Sequence, residues 1–264
     1  DVRTAVTEAA PDACVHLAAL TSIAEGTSSP DDMLAVNVHG TLTLLNALRE
    51  LCPAARVLVV SSSTVYRPSE GAPVREDAPL EPLNLYAASK AAADLSALAY
   101  ARAYRMNVMT VRPTNHTGPG QDARFVVPAF AQQLMAIKDG TSASPLKVGN
   151  LESRRILLDV RDVVRAYRLL LEHGRPGLAY NLSAGASVPM SHVLERLCVH
   201  ADVTPERVVD PDLYRPTDAS PVLDTTRLRE HTGWAPEIGL DHTLSDVLRA
   251  VAGKHNATSE TASP

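Results

Sequence analysis

The sequence predicts an α/β fold in which helices cover both faces of a parallel sheet. Apolar runs of four to six residues alternate with longer stretches in which apolar residues recur at helical spacing, and this alternation is typical of such sheets. With 264 residues, of which 45% are hydrophobic, the chain is long enough to bury a substantial core. It can do so as one large domain or as one domain with a small lobe.

The first predicted elements follow one another in the order of such a fold. A polar helix at the N-terminus leads to a strand over residues 13–18. Ser29 then supplies an N-cap, and Pro30 suits the first helical position. The helix that these residues open has one apolar face, formed by Leu34, Val38, Leu42, Leu45 and Leu48.

The remaining elements continue the alternation. Strands are predicted over residues 57–60, 108–111 and 178–182. Helices are predicted over residues 85–104, 125–138, 161–172, 190–200, 226–232 and 240–252. The polar tail from Asn256 is predicted to be disordered, because it has little apolar surface to bury.

The net charge and the cysteine content limit the kinds of partner that the protein is expected to have. The formal net charge of -5, without a long basic run, provides no electrostatic footprint for nucleic acid or an anionic membrane. Cys14, Cys52 and Cys198 lack the spacing of a zinc site or a redox pair, so we interpret them as reduced thiols and expect no metal. No apolar run approaches the roughly 20 residues that span a bilayer. We therefore expect a cytoplasmic protein with a small-molecule or protein partner.

Tyr86 and Lys90 are the first candidate catalytic residues. Their spacing of four residues places a phenol and an ammonium on one face of a predicted helix. A neighbouring cation favours the phenolate, so such a pair can exchange a proton with a carbonyl or an alcohol. The alternative interpretation is an exposed tyrosine beside a solvated lysine.

Two further polar segments follow predicted strands. Ser61, Ser62 and Ser63 come directly after the second strand, and the loop 115–121 follows the third. Ligands of parallel sheets bind at the carboxyl ends of the strands, so both segments are candidates for a binding site. A serine-rich turn and an ordinary glycine-containing turn explain the same residues without any chemistry.

These segments together resemble the extended short-chain dehydrogenases, in the order that this family shows. The resemblance covers nearly the whole chain and rests first on His16-Leu17-Ala18-Ala19, Asn37-Val38-x-Gly40-Thr41, Ser61-Ser62-Ser63-Thr64-Val65-Tyr66, Tyr86-x-x-x-Lys90 and Arg112-Pro113. Later segments are most similar to the GDP-4-keto-6-deoxy-mannose reductases and their GDP-mannose 4,6-dehydratase relatives. These segments are 115–121, 125–130, 148–151, 154–155, 159–162, 180–181 and 215–218.

The resemblance implies a role for each matching residue. Tyr86 would be the general acid/base, Lys90 would contact the nicotinamide ribose and lower the pKa of Tyr86, and Ser62 would orient the reacting oxygen. Tyr86 and Lys90 would thus also belong to the cofactor site for NADP or NAD, which the resemblance extends to Leu17, Ala18, Ala19 and Asn37. The nucleotide-sugar substrate would be bound by Asn115, Val126, Arg155 and Arg215, because guanidinium groups pair with phosphate oxygens.

The resemblance also implies a Rossmann-like parallel sheet with a small C-terminal substrate-binding lobe. Residues 1–120 would form a partial NAD(P)-binding domain, completed by about 156–184. Residues 121–155 and 185–252 would belong mainly to the lobe, and residues 253–264 would form the disordered tail. A homodimer through the helices at 37–50 and 85–104 is a further expectation from the family.

Two features depart from the family pattern. The glycine-rich turn that binds the dinucleotide phosphates is not found, since Gly26 and Gly40 are the only glycines before Gly71. We therefore expect an N-terminally truncated sequence of a working enzyme; the alternative is a natural short form that binds cofactor weakly. Ile156 also stands where the family usually has an acidic residue.

The residue at position 64 distinguishes dehydratases from the other enzymes of the family. Dehydratases of the family resemble one another in carrying an acidic residue two positions before the tyrosine that corresponds to Tyr66, and here this residue is Thr64. Without a carboxylate, elimination lacks its acid/base group. We expect reduction of a 4-keto group on a nucleotide-linked 6-deoxyhexose. The alternatives are a nucleotide-sugar 4-epimerase, a GDP-mannose 4,6-dehydratase and a cofactor-free binding protein without activity.

Overall fold

The computed structural model of the chain describes residues 1–21, 28–67, 72–142, 145–214 and 220–260, with side chains described up to residue 253. The chain divides into two compact units. Unit 1 comprises Asp1–Thr114, Val163–Gly185 and Pro221–Ala235, and unit 2 comprises Asn115–Asp162, Ala186–Ser220 and Pro236–Pro264.

Unit 1 is built on a parallel sheet of four described strands. The strands are β1 (Ala13–His16), β2 (Arg56–Val60), β3 (Val108–Pro113) and β8 (Ala179–Leu182), in the spatial order β1-β2-β3-β8. All three pairings are parallel. Every residue of β3 and β8 is buried, as is expected of strands of a parallel sheet that are covered on both faces. The fold class predicted from the sequence is confirmed.

The helices of unit 1 connect these strands. They are α1 (Val2–Ala9), α2 (Pro30–Leu34), α3 (Gly40–Leu51), α4 (Leu85–Tyr104), most of α6 (Val160–His173) and α8 (Thr226–Thr232). The bounds of α4 are those predicted, because the Asn84 side chain caps its first turn by accepting from the Ala87 amide at 2.9 Å. At its other end, Arg105 adopts a left-handed conformation.

One part of the predicted helix face is wrong. Between α2 and α3 the chain forms a π turn, Ala35–His39. A π turn contains about one residue more than an α turn, so it shifts the buried face. Met33 is fully buried as a result, whereas Leu34, which was predicted on the apolar face, is 38% exposed.

The segment 221–235 belongs to unit 1, although it falls within the range 185–252 that was predicted to form mainly the lobe. Arg227 donates to the carbonyl of Ala179 on β8 at 2.8 Å, and Leu228 is fully buried. Leu223 forms a parallel bridge with Val74. These contacts with β8 and with the loop before α4 place α8 on the sheet.

Unit 2 consists of short strand pairs and three helices. The pairs are β4 (His116–Thr117) with β7 (Leu158–Asp159), β5 (Leu146–Val148) with β10 (Arg207–Val209), and β6 (Arg154–Arg155) with β9 (Val188–Pro189). The helices are α5 (Val126–Lys138), α7 (Met190–Ala201) and α9 (Leu240–Glu260). Their facing sides form one apolar core that includes Phe130, Leu134, Leu146, Leu194, Leu197 and Leu244.

Helix α9 is longer than the sequence indicated. We expected it to end at Ala252 and the tail to be disordered, but it continues to Glu260. No proline interrupts residues 253–260, and Gly253 alone lowers helix stability by about 1 kcal/mol. Among the described residues, no helix combines the length and apolar character needed to cross a membrane.

Candidate active site

The carboxyl ends of β1 and β2 position two of the predicted segments in unit 1. Residues 17–20 follow β1, and Ser61 and Ser62 follow β2. Because β1 and β2 are parallel neighbours, these segments leave the sheet at the same edge. The predicted strand 13–18 ends early, at His16, and this shortening leaves Leu17, Ala18 and Ala19 in the loop.

Tyr86 lies in the first turn of α4, and Lys90 follows one helical turn later. The Tyr86 side chain is partly buried and the Lys90 side chain is buried. The Lys90 ammonium donates to the carbonyl of Val60 at the end of β2. This bond joins α4 to the strand that leads into the serine segment, so the structure brings together two of the predicted elements.

Ser62 is hydrogen-bonded on both sides. Its Oγ accepts from the Thr64 amide at 3.2 Å and from the Thr64 hydroxyl at 2.8 Å. A serine hydroxyl has one proton and two lone pairs. With both lone pairs engaged by Thr64, the Ser62 proton is left for another acceptor, and Ser62 is close enough to Tyr86 to lower the pKa of the phenol. Thr64 therefore fixes the Ser62 hydroxyl near Tyr86, and the role of Ser62 in orienting the reacting oxygen stays a prediction.

The pKa of Tyr86 differs from the expectation. Lys90 was expected to lower it, but burial raises the pKa of Tyr86 above its ordinary value, and only the hydrogen bond with Ser62 opposes the rise. Burial disfavours the charged phenolate, and the Lys90 ammonium is directed at the Val60 carbonyl. The phenol therefore keeps its proton at neutral pH, which suits a group that donates a proton to a carbonyl oxygen.

Lys90 has the opposite shift. Burial lowers the pKa of Lys90 to about 8, and the nearby charge of Asp94 partly opposes the decrease. His16, at the end of β1, is also affected: burial and the Lys90 charge lower the pKa of its imidazole. The Lys90 side chain is thus an ammonium at pH 7 and loses its proton within the range of ordinary assays.

Asn37 supports the site from the buried side of the π turn. Its Oδ1 accepts from the Leu20 amide at 2.8 Å, and its Nδ2 donates to the Leu20 carbonyl at 3.0 Å and to Ser89 Oγ at 2.9 Å. Ser89 in turn donates to the Tyr86 carbonyl at 2.7 Å. Asn37 therefore fixes the loop after β1 against the helix that carries Tyr86, and its polar atoms are engaged within the protein.

The loop after β1 contains three residues that were predicted to contact the cofactor, Leu17, Ala18 and Ala19. Leu17 is 62% exposed, Ala18 is exposed and Ala19 is partly buried. Small side chains and open backbone at the carboxyl end of a strand are what a dinucleotide requires for close approach. Leu17, Ala18 and Ala19 therefore stay predicted cofactor residues.

Three of the predicted substrate residues, Asn115, Val126 and Arg155, lie in unit 2. Asn115 is exposed and its carbonyl accepts from the Leu158 amide at 2.9 Å, whereas Val126, at the start of α5, is 43% exposed. Arg155 is partly buried in β6 and donates to the Arg154 carbonyl at 3.0 Å. Arg215 lies outside the described residues. Ile156, where an acidic residue was expected, is fully buried, and so it contributes to packing.

The loop 116–121 lines a cavity of about 300 Å³ in unit 2, together with Val160. Gln121 braces the loop, since it accepts from the Thr117 hydroxyl at 2.7 Å and donates to the His116 carbonyl at 3.2 Å. Gly118 packs so closely against Val160 that a Cβ there would lie 2.5 Å from the valine Cγ1. Only glycine fits at position 118 without a shift, which accounts for the glycine in this motif.

Comparison with known proteins places the chain in a family. The family model described as GDP-mannose 4,6 dehydratase matches residues 1–247. The chain belongs to this family. It is 38% identical over 241 residues to a GDP-6-deoxy-D-mannose reductase from Pseudomonas aeruginosa, with 90% of this chain and 79% of the reductase aligned. It is 33% identical over 232 residues to a dTDP-glucose 4,6-dehydratase from Streptomyces griseus, covering 88% and 69% of the two chains.

A solved structure of a family relative agrees with the fold. The structure of RMD from Pseudomonas aeruginosa complexed with NADPH superposes with a TM-score of 0.87 at 36% identity, covering 92% of this chain and 82% of that chain. The predicted resemblance to the epimerase/dehydratase group of short-chain dehydrogenases is confirmed.

Two buried residues near Tyr86, Asp94 and Tyr167, were not predicted from the sequence. Asp94 continues the spacing of Tyr86 and Lys90 by one more turn, so the i, i+4, i+8 pattern could have identified it. Tyr167 on α6 is 7% exposed; burial and then the Tyr86 charge raise its pKa. No local pattern connects Tyr167 with Tyr86, because the fold alone brings the two phenols near each other.

Proposed function

We propose that the protein is an NAD(P)-dependent reductase of a 4-keto group on a nucleotide-linked 6-deoxyhexose, similar in action to GDP-4-keto-6-deoxy-mannose reductases. The main support is the pair of Ser62, whose hydroxyl is fixed by Thr64, and Tyr86, a phenol whose pKa is raised by burial. A protonated phenol can donate to the oxygen of a ketone as that ketone is reduced. The identity of 38% with a GDP-6-deoxy-D-mannose reductase supports the same reaction.

NADPH or NADH, when bound, supplies the hydride. Leu17, Ala18 and Ala19 would line its ribose and pyrophosphate side, and Lys90 would contact the nicotinamide ribose. Ser62 would donate to the sugar oxygen that becomes the hydroxyl, and Tyr86 would deliver the proton to that oxygen. Asn37 acts through the backbone of Leu20 and through Ser89, so we assign it a positioning role.

Thr64 argues against the dehydratase alternative. Its hydroxyl donates to Ser62, and a threonine hydroxyl neither removes nor returns a proton at neutral pH as a carboxylate does. The 4-epimerase alternative would use the same Ser62, Tyr86 and Lys90. It differs in regenerating its cofactor in every cycle, so net consumption of NADPH distinguishes the two reactions.

We propose that the sugar nucleotide is bound by Asn115, Val126, Arg155 and Arg215. The guanidinium groups are suited to bidentate pairing with the diphosphate oxygens, and the exposed Val126 offers apolar surface. Substituting Arg155→Lys is expected to raise KM for the sugar nucleotide about tenfold with little change in kcat, because a point charge replaces a fork of donors.

The function is tested by incubating the full chain with NADPH and either GDP-4-keto-6-deoxy-mannose or GDP-mannose. We expect oxidation of one NADPH for each keto sugar reduced, and no formation of a keto sugar from GDP-mannose. A 4,6-dehydratase turnover would contradict the proposal. Epimerisation without net cofactor consumption would show that the protein is a 4-epimerase and not a reductase. Binding of the sugar nucleotide without binding of NADPH would indicate a binding protein.

We also propose a homodimer formed through α3 and α4. Leu95 on α4 is 56% exposed, and Tyr104 at its end is 51% exposed, whereas Leu98 is buried in unit 1 and is not available. Exposed apolar side chains on a helix favour association. Gel filtration with light scattering should give twice the chain mass for the parent and a smaller mass for Leu95→Glu. A monomeric parent at micromolar concentration would exclude the dimer.

A further inference from the structure

We propose that Thr41 and His16 are positioning residues for the cofactor, because the hydrogen bond between their side chains fixes the start of the cofactor loop, residues 17–20. This inference rests on the proposed function, in which Leu17, Ala18 and Ala19 of that loop line the cofactor. It follows from four hydrogen bonds that join the two ends of the loop to the π turn and to the first turn of α3.

The start of the cofactor loop is held by a bond between two side chains. His16 is the last residue of β1 and is partly buried, and Thr41 lies in the first turn of α3 and is 2% exposed. The distance from His16 Nε2 to Thr41 Oγ1 is 2.9 Å. The backbone of His16 is paired with Val59 of β2, whereas Leu17 is 62% exposed. The His16 side chain therefore anchors the point at which the chain leaves the sheet.

The end of the cofactor loop is held from the same stretch of helix. Asn37 Oδ1 accepts from the Leu20 amide at 2.8 Å, and Asn37 Nδ2 donates to the Leu20 carbonyl at 3.0 Å. Asn37 lies four residues before Thr41, and the Thr41 hydroxyl donates to the Asn37 carbonyl at 2.7 Å. The two side chains that hold the loop are thus joined to each other, and both ends of the loop depend on one helical segment.

The direction of the bond to His16 follows from the single proton of the Thr41 hydroxyl. This proton is donated to the Asn37 carbonyl, so Thr41 Oγ1 accepts from the imidazole. His16 Nε2 therefore carries a proton, and Nδ1 is the bare nitrogen of the neutral ring. Burial and the nearby charge of Lys90 lower the pKa of His16, which favours the neutral form. The hydrogen-bond pattern thus assigns one tautomer to His16.

A loop that is held at both ends is ordered before the cofactor arrives. Binding to an ordered loop costs less conformational entropy than binding to one that must first be fixed. Releasing the start of the loop should therefore weaken NADPH binding and leave kcat at saturating NADPH nearly unchanged, because the proton donor Tyr86 lies on another helix. One lost hydrogen bond of this kind corresponds to a rise of about three- to tenfold in Kd.

Substitutions on α3 separate the hydroxyl of Thr41 from the packing of its side chain. Thr41→Val keeps the shape and removes the hydroxyl, whereas Thr41→Ser keeps the hydroxyl and removes a methyl group. Thr43→Val is the matched control, since the exposed Thr43 also donates to the carbonyl four residues earlier, that of His39, at 2.8 Å. His16→Phe removes the same bond from its other end and replaces Thr41→Val if that variant does not fold.

The experiment uses the full chain and combines three readouts. A fluorescence titration gives the Kd for NADPH. NMR of the unliganded protein gives the nitrogen-15 shifts of the His16 ring, assigned with His16→Phe, and the exchange rate of the Leu20 amide hydrogen. Kinetics with the keto sugar separate KM for NADPH from kcat. A side chain that only fills space would not determine which ring nitrogen of His16 carries the proton.

We expect Thr41→Val and His16→Phe to raise the Kd for NADPH about three- to tenfold, and Thr41→Ser and Thr43→Val to stay within about twofold of the parent. Thr41→Val should also populate both tautomers of His16 and exchange the Leu20 amide faster than the parent. A role in packing alone predicts the reverse order, with weaker binding in Thr41→Ser than in Thr41→Val, and that order would overturn the inference.

Failure of this inference can be distinguished from failure of the proposed function. If the parent binds NADPH and Thr41→Val binds it equally well, the inference is wrong and the function stands. A parent that binds no NADPH would overturn the proposed function together with the cofactor role of Thr41. The NMR measurements would then still show whether Thr41 holds the loop, because they need neither cofactor nor substrate.

Discussion

The Tyr86→Phe variant is expected to lose a factor of about 10² to 10⁴ in kcat for keto-sugar reduction. The phenylalanine ring keeps the packing of α4 and lacks only the hydroxyl that joins Ser62. Affinity for NADPH should change little, because the proton donor contributes mainly in the transition state. Steady-state kinetics and a fluorescence titration with NADPH measure the two effects separately.

Tyr104→Phe provides the matched control for that prediction. Tyr104 is also on α4, is 51% exposed and stacks edge-on against Tyr100, so its hydroxyl is remote from the reaction. We expect parent activity for this variant. A Tyr86→Phe variant that retained more than about a tenth of the parent kcat would show that Tyr86 is not the proton donor.

The Arg112→Met variant is expected to destabilise the protein by about 3–5 kcal/mol. Arg112 pairs with the buried Asp94 and also donates to the Tyr66 hydroxyl at 2.6 Å and the Glu76 carbonyl at 3.0 Å. Removing it leaves a carboxylate buried without its cation. Because these contacts join α4, the segment after Ser62 and β3, the free energy of unfolding reports how firmly the site is assembled. Urea unfolding followed by circular dichroism measures it.

Two comparisons sharpen this test. Arg75→Met breaks an exposed pair with Asp77, in which both side chains are more than 60% accessible, and should cost about 0–1 kcal/mol. Asp94→Asn/Arg112→Met should recover most of the lost stability, since it removes the unpaired charge. A loss below about 1 kcal/mol for Arg112→Met would mean that the buried pair does not stabilise the site.

The fold was predictable because its signals are local. The strands β2 and β3 were predicted from their apolar runs, and α4 was predicted from its alanine-rich stretch. The π turn before α3 was not, since a one-residue change in helical register depends on what the helix packs against. For the same reason Leu34 was predicted to be buried, as it would be in a regular helix.

The sequence indicated which residues to consider for the site, but not their electrostatics. Tyr86, Lys90 and Ser62 were predicted from motif order, and the structure joins Lys90 to the end of β2, directly before the serine segment. The direction of the Tyr86 pKa was wrong, because sequence shows a neighbouring lysine but not the burial that outweighs it. Asp94 was missed because it gains meaning only once Arg112 is seen to fix it.

Oxidation of NADPH in the presence of GDP-4-keto-6-deoxy-mannose is the direct test of the proposed keto-sugar reduction. We expect each NADPH oxidised to yield one sugar with a hydroxyl at C4, identified by NMR of the product, and we expect Tyr86→Phe to lose this product. Folded protein that binds NADPH and leaves both the keto sugar and the cofactor unchanged would contradict the proposed reduction.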